Sequence, residues 1–291
     1  MNQAAIHPQT ALGRVRLNIV DLEKSIAFYR EVVGLTLLKR SEGAAVLGVS
    51  PGVPLVELEE GAAGSLPKRA YAGLYHFAIL LPDRVRLGEA LRRLIEHGIP
   101  FGQADHLVSE ALYIHDPDGN GIEIYADRPR DQWTWNERGE VAMSTDPLDL
   151  EGLLRASVGR EGQQIPEGTT MGHVHLHVSD LGASRSFYHG ILGFGVTARY
   201  GPQALFVSAG GYHHHLGLNT WAGAGAPLPP ENAPGLRFFT VVPPDAQAYG
   251  DVLRRLEEAG CRVERHAEEA FALDPSGIRI RFRLPEAEAV V

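Results

Sequence analysis

Self-similarity constrains this chain more than any other feature. The run Gly13-Arg14-Val15-Arg16-Leu17-Asn18-Ile19-Val20-Asp21-Leu22 returns as Gly172-His173-Val174-His175-Leu176-His177-Val178-Ser179-Asp180-Leu181. The match continues without a gap through Ser25/Ser184, Phe28-Tyr29/Phe187-Tyr188 and Gly34-Leu35/Gly193-Phe194. A second pair of blocks follows. Leu91-Arg92-Arg93-Leu94 answers Leu253-Arg254-Arg255-Leu256, each ahead of a glycine, Gly98 or Gly260. Asp116-Pro117-Asp118-Gly119 answers Asp274-Pro275-Ser276-Gly277. The chain is an internal duplication, and each half holds two different units.

Every unit has the same grammar. A short alternating strand comes first, as in Val15 to Val20. An aspartate then stands where a helix N-cap belongs: Asp21, Asp83, Asp180 or Asp245. In the first unit Leu22, Ile26, Tyr29 and Val33 recur at helical spacing. Gly34, Gly98, Gly193 and Gly260 end the helices as C′ residues. Two or three β-rich stretches follow, and in units two and four a Pro-Asp-Gly or Pro-Ser-Gly turn joins the last two strands. The expected fold is α+β: four βαβββ modules in two tandem domains, 10–132 and 169–285. A polar linker over 133–168 carries one possible helix at 147–157. A second loose stretch, 222–234, is rich in Gly, Ala and Pro, and loops of that length often form lids or rims of sites.

Composition narrows the partners. With 44% hydrophobic and 22% charged residues, a sizeable core can be buried. No apolar run approaches the roughly 18 residues of a membrane span, and the first residues do not resemble a signal peptide, so a cytoplasmic protein is expected. One cysteine, Cys261, excludes an intramolecular disulfide. A net charge of -9 with no basic run argues against nucleic acid as a partner. The 13 histidines cluster, as His173, His175, His177 and as His213, His214, His215, which raises the prior for a metal site.

The module order, together with Asp-Leu-x-x-Ser-x-x-Phe-Tyr and with Asp116-Pro117-Asp118-Gly119-Asn120-Gly121-Ile122-Glu123, resembles the vicinal-oxygen-chelate superfamily. Glyoxalase I, bleomycin-resistance proteins and type I extradiol dioxygenases belong to it. The resemblance covers nearly the whole chain outside the linker. It implies curved mixed sheets closing around a metal cleft, with ligands from the first and last strands of modules. The first-strand position lies seven residues before the capping aspartate: His76 in module two, His173 in module three and Arg14 in module one. In module four, allowing one extra residue at Pro243-Pro244, it falls on Arg237. On the last strand Glu123 of module two aligns with Arg279 of module four through the shared Gly-Ile. A guanidinium has no lone pair to give a metal. Modules one and four thus read as a lost site filled with Arg14, Arg16, Arg279 and Arg281, with Glu57 and Glu59 as partners. Modules two and three retain His76, Glu123 and His173, so these two modules are expected to pair.

A lone strand histidine is usually a polar face residue; three candidate ligands on equivalent positions make a site. Two imidazoles and one carboxylate form the set associated with non-haem Fe(II), and Mn(II) is the alternative. His175 and His177 share the strand face with His173 because side chains alternate, and are expected to form a polar wall of the same cleft. The stretch from Tyr212 to Leu218, expected to open the last strand of module three, resembles the extradiol run of two histidines, a variable residue and Leu-Ala-Phe. On that match His214 is the acid–base residue, with His215 the alternative register. Tyr113 fits the family's tyrosine that points at a substrate oxygen, against the plain reading of a buried strand tyrosine. His106 is carried over as a pocket residue only, and His115 as solvent-exposed.

The resemblance implies an Fe(II)-dependent extradiol dioxygenase similar to catechol 2,3-dioxygenases, taking an aromatic diol and O2, and assembled as a homodimer or larger. Two other readings stay open. Glyoxalase-type isomerisation or thiol transfer would use the same scaffold, but glyoxalase-type sites usually hold two carboxylates and one is found here. A metal-free binding module would lack the His/Glu set.

Overall fold

The computed structural model describes residues 5–49, 52–64, 70–159 and 164–285. After a short β1 (Ala11–Leu12), module one runs β2 (Val15–Ile19), α1 (Leu22–Phe28), β3 (Thr36–Ser41), β4 (Ala44–Val49) and β5 (Val53–Glu60). Module two runs β6 (Gly73–Leu81), α2 (Arg84–Glu96), β7 (Gly102–Asp105), β8 (Ser109–His115) and β9 (Gly121–Asp127). The linker carries α3 (Leu150–Ala156), inside the span expected for it. Module three is β10 (Thr170–His177), α4 (Leu181–Arg185), β11 (Gly195–Tyr200), β12 (Ala204–Ser208) and β13 (Leu216–Asn219). Module four is β14 (Gly235–Val242), α5 (Ala246–Glu258), β15 (Glu264–Arg265), β16 (Glu269–Leu273) and β17 (Arg279–Arg283).

The local chemistry repeats with the modules. Asp21, Asp83, Asp180 and Asp245 each cap a helix by accepting the backbone N–H three residues on, at 2.9, 3.0, 2.7 and 2.8 Å. The longer helices bury one stripe, Leu87, Ala90, Leu91 and Leu94 on α2 and Val252, Leu253 and Leu256 on α5. In modules one and three the helix is shorter than its apolar spacing suggests. The α-helical turns stop at Phe28 and Arg185 and give way to π turns, Tyr29–Val33 and Ser186–Ile191.

Those π turns carry the two tyrosines that tie modules together. Tyr29 Oη donates to Asp116 Oδ2 at 2.9 Å, and Tyr188 Oη donates to Asp274 Oδ2 at 3.0 Å. Each aspartate belongs to the Asp-Pro-x-Gly turn of the next module, where its other oxygen holds the turn backbone, Asn120 N at 2.7 Å and Ile278 N at 2.8 Å. The repeated arginine pair has a similar role. Arg93 donates to Val32 O and Val33 O at 2.8 and 2.7 Å, and Arg255 donates to Leu192 O at 3.0 Å. Each guanidinium thus meets carbonyls at the end of the preceding module's helix, where cations are favoured.

Sheets and sequence halves do not coincide. One sheet has the order β11-β12-β13-β10-β6-β9-β8-β7, made of modules three and two. The other has the order β15-β16-β17-β14-β2-β5-β4-β3, made of modules four and one, with β1 beside β14. In each sheet the two first strands meet antiparallel at the centre, β10 on β6 and β14 on β2. The main core cluster draws fully buried side chains from all four modules, among them Leu17, Phe77, Leu176 and Phe239.

Strand register corrects the equivalences expected for module four. Phe238 faces Arg16 across the central pair as His76 faces His175, and Arg281 sits beside Thr240 as Glu123 sits beside Ala78. The counterparts of His76 and Glu123 are therefore Phe238 and Arg281, not Arg237 and Arg279. The extra residue at Pro243-Pro244 does not displace the strand, and the turn aspartate, not the Gly-Ile pair, sets the register of the last strand.

Tyr29→Phe removes the phenol hydrogen bond to Asp116 while leaving the shape intact. A loss of about 1.5–3 kcal/mol in urea unfolding is expected, the range for a hydrogen bond to a charged group; no change would show that the tie between modules contributes nothing.

Candidate metal centre

Three neighbouring strands build the site. Ala78 on β6 is flanked by His173 on β10 and Glu123 on β9, and His76 lies two residues back along β6, on the same face. Ala78 is fully buried and keeps this row open, since its side chain ends at Cβ. His76, Glu123 and His173 come together with their ligand atoms all within 4.8 Å of one another, and all three are buried. Both imidazoles converge on one oxygen: His76 Nε2 and His173 Nε2 each lie 3.0 Å from Glu123 Oε2.

These residues fit a divalent metal ion. His173 Nε2 makes a hydrogen bond with the carboxylate, but His76 Nε2, equally close, is off the line such a bond needs and has no partner. A buried imidazole nitrogen without a partner is costly in a finished core and natural in a ligand. Burial lowers the His76 imidazole below its ordinary value against the pull of Glu123. Burial pushes the Glu123 carboxyl up, yet His173 and His76 outweigh it and hold it well below the usual range. Neutral imidazole beside an ionised carboxylate is the protonation state a metal requires.

The trio opens into a cavity of about 430 Å³. Tyr75, Trp221, Tyr200, Phe206 and Met143 give it apolar walls, and no lysine or arginine is among its described lining residues. Tyr113 and His106 stand on one side. His106 Nδ1 lies 2.6 Å from Ser144 O, so it carries hydrogen, and Nε2 on the other side of the ring accepts from Tyr113 Oη at 2.6 Å. Burial first, and the Glu123 carboxylate next, raise the Tyr113 phenol well above its ordinary value, so it remains a donor. His175 lines the opposite wall. Asn219 Oδ1 accepts from Trp221 N and from His177 Nδ1, at 2.9 and 2.7 Å, which turns Asn219 Nδ2 onto His175 Nε2 at 2.9 Å. Burial holds His175 well below its ordinary value and hence neutral.

Three expectations need correction. His177 does not line the cavity, although it shares the strand face with His173. Tyr75, an extra residue bulged out of β6, packs its ring against His175 and His177 at 5.1 and 4.9 Å. The histidine run does not open β13; it precedes it as a loop. Within that loop only His214 faces the cavity, its ring 4.1 Å from that of His173. His215 turns away from the cavity, its Nδ1 accepting Ala209 N–H at 3.1 Å, and it is not among the cavity-lining residues. The 222–234 loop borders another cavity, at the junction of the two sheets. The histidine cleft is closed instead by Met143, Ser144 and Thr145 of the linker. His115 is exposed as expected.

The counterpart cleft of modules four and one holds ions. Arg14 and Arg16 pair with Glu57 at 3.2 and 3.3 Å, Arg16 also with Glu59 at 3.0 Å, and Arg281 lies over the Phe238 ring at 4.7 Å. Burial, then the nearby Arg14, lower Arg281 to about 10.

Residues 11–124 and 170–282 match the model of the Glyoxalase/Bleomycin resistance protein/Dioxygenase superfamily, and the chain belongs to that family. It is 49% identical over 281 residues, 96% of this chain and 99% of the relative, to a catechol-2,3-dioxygenase of Bacillus subtilis. A solved Bacillus subtilis structure shares the fold with a TM-score of 0.66 at 14% identity, over 98% of this chain and 87% of that one. Glyoxalase I from Zea mays shares it at 0.56 and 19% identity, over 94% and 92%.

Gly172 is the residue bulged out of β10 just before His173, and a Cβ there would come within 2.6 Å of Tyr125 Cζ. Tyr125 is fully buried and cannot step aside freely. Gly172→Ala is expected to cost about 1–3 kcal/mol of stability and to weaken metal retention on dialysis; unchanged retention would mean that this bulge does not set His173.

Proposed function

We propose that this protein is a metal-dependent extradiol ring-cleaving dioxygenase acting on catechol-type aromatic diols, with His76, Glu123 and His173 holding Fe(II), or Mn(II) in its place. The convergence of two imidazoles and one carboxylate at the floor of an apolar cavity carries this reading. The near-full-length relationship to a catechol-2,3-dioxygenase supports it. A glyoxalase-type reading would call for a second carboxylate, and the cluster holds only Glu123 among the described residues.

When bound, the metal supplies a Lewis-acid centre for the diol oxygens and the electron chemistry for O2. The chain supplies the rest. His214, neutral because burial lowers it well below its ordinary value, takes the proton of a catechol hydroxyl. The Tyr113 phenol gives its one hydrogen to His106 Nε2 and turns its oxygen lone pairs, as an acceptor, toward a substrate hydroxyl on the other side. Phe206, Trp221, Tyr75 and Met143 hold the ring and keep water out. A cytoplasmic location and a homo-oligomeric assembly belong to the same reading.

The test is oxygen uptake by protein reconstituted anaerobically with Fe(II) and then given catechol and air. Uptake with a yellow ring-opened product, at one metal per chain, is expected, and His76→Ala abolishes both metal and uptake. Metal binding without uptake on catechol or substituted catechols overturns the assignment. Tyr113→Phe is expected to lower kcat by about 10–100-fold while the metal stays bound, the scale of losing one catalytic hydrogen bond or proton-transfer partner.

A further inference from the structure

A buried chain of hydrogen bonds leads away from the cavity behind His214. Glu123, Tyr125 and Asp127 alternate along β9 on one face. Glu123 belongs to the candidate metal centre, and Asp127 at the strand end reaches module three. Asp127 Oδ1 lies 3.0 Å from His213 Nε2, and His213 Nδ1 lies 2.7 Å from His214 Nδ1. Tyr212 Oη donates to the same Asp127 oxygen at 3.2 Å and meets Tyr125 Oη at 2.6 Å. His213 is fully buried and His214 is 8% exposed, so solvent does not compete for the bond between them.

The direction of each bond follows from the carboxylate. An ionised carboxylate accepts only, so His213 Nε2 carries hydrogen. With that hydrogen alone, the His213 ring has a lone pair at Nδ1. The facing nitrogen of His214 must donate to it, so the hydrogen of neutral His214 sits on Nδ1 and its Nε2 is bare. Phe206 and His173 pack against the His214 ring at 5.0 and 4.1 Å and hold its plane. With the opposite tautomer, Nε2 would carry hydrogen and could not accept one from a substrate.

We propose that Asp127 and His213 are positioning residues that lock the tautomer and orientation of His214, so that it presents a bare Nε2 to the diol. The proposal rests on the dioxygenase reading for its catalytic meaning, but the tautomer stands as a property of the protein alone. In turnover the diol O–H bond breaks, the proton goes to His214 Nε2, and the electron pair stays on the oxygen. His214 Nδ1–H keeps donating to His213, whose own N–H keeps donating to Asp127. No group along the chain loses its partner when the charge arrives.

The experiment compares His213→Gln with His213→Leu. Gln keeps an amide oxygen that accepts from His214 Nδ1–H; Leu has no acceptor. Long-range ¹⁵N–¹H imidazole spectra of metal-free and zinc-loaded protein read the tautomer directly, with His214→Gln assigning the signals. His214 is expected to show hydrogen on Nδ1 in the parent and in His213→Gln, and to shift toward hydrogen on Nε2 in His213→Leu. With Fe(II), kcat is expected to fall about 100-fold in His213→Leu, the scale of one general base, with KM for catechol little changed and much of the rate recovered in His213→Gln. Asp127→Leu shifts the same signals in the same direction, and Asp127→Asn, which keeps an acceptor oxygen, does not. Hydrogen on Nε2 in the parent, or one tautomer common to all the proteins, overturns the proposal. A parent that binds metal but never opens a catechol ring overturns the dioxygenase reading instead, and the spectra still decide the tautomer.

Discussion

The antiparallel pairing of β10 with β6 is the contact on which the site depends. It sets His175 opposite His76 and His173 opposite Ala78, while the parallel pairing of β6 with β9 sets Glu123 on the other side of Ala78. A shift of one residue in either register would turn a ligand to the far face of the sheet. Ties between modules protect these registers. The Tyr29–Asp116 bond holds the turn that leads into β9, and Arg93 binds the end of the helical segment in module one to α2. The first module carries none of the candidate ligands, yet it fixes the turn from which Glu123 follows.

Duplication has given two clefts of opposite character. In one, two imidazoles, a carboxylate and apolar walls leave a cavity with no fixed cation. In the other, Arg14, Phe238 and Arg281 replace His173, His76 and Glu123, and Glu57 and Glu59 balance the arginines. Buried or half-buried charge needs such pairing because desolvation is expensive. Among the described residues this cleft gathers no metal-ligand cluster like that of His76, Glu123 and His173.

Hydrogen-bond direction, as much as position, prepares the histidine cleft. A carbonyl fixes His106, an amide oriented by Trp221 N fixes His175, and a carboxylate fixes His213 and through it His214. In each case a partner outside the cavity, an acceptor for His106, His213 and His214 and the Asn219 amide donor for His175, claims one ring nitrogen and leaves the other with a defined role. Backing of this kind holds a reactive group in its productive geometry without reorganisation during the reaction.

The sequence by itself determined the modules, the four aspartate caps and the duplication, because caps, turns and apolar periods are local and repeat at fixed spacing. Through its resemblance to the vicinal-oxygen-chelate superfamily it also brought His76, Glu123, His173, Tyr113 and His214 forward as candidates, the two first-strand histidines counted from a cap, Glu123 from a turn, and Tyr113 and His214 matched to family stretches. Counting failed where an inserted residue had to be assigned: Phe238 and Arg281 follow from strand register, which local spacing does not encode. Tertiary structure alone decided that His214 enters the cavity while His213 and His215 turn away, because a loop has no fixed period. It alone brought Met143 and Ser144 of the linker to the cavity and Asp127 to His213, contacts between residues far apart in the chain. Such contacts depend on how two modules pack, and no single module carries that information.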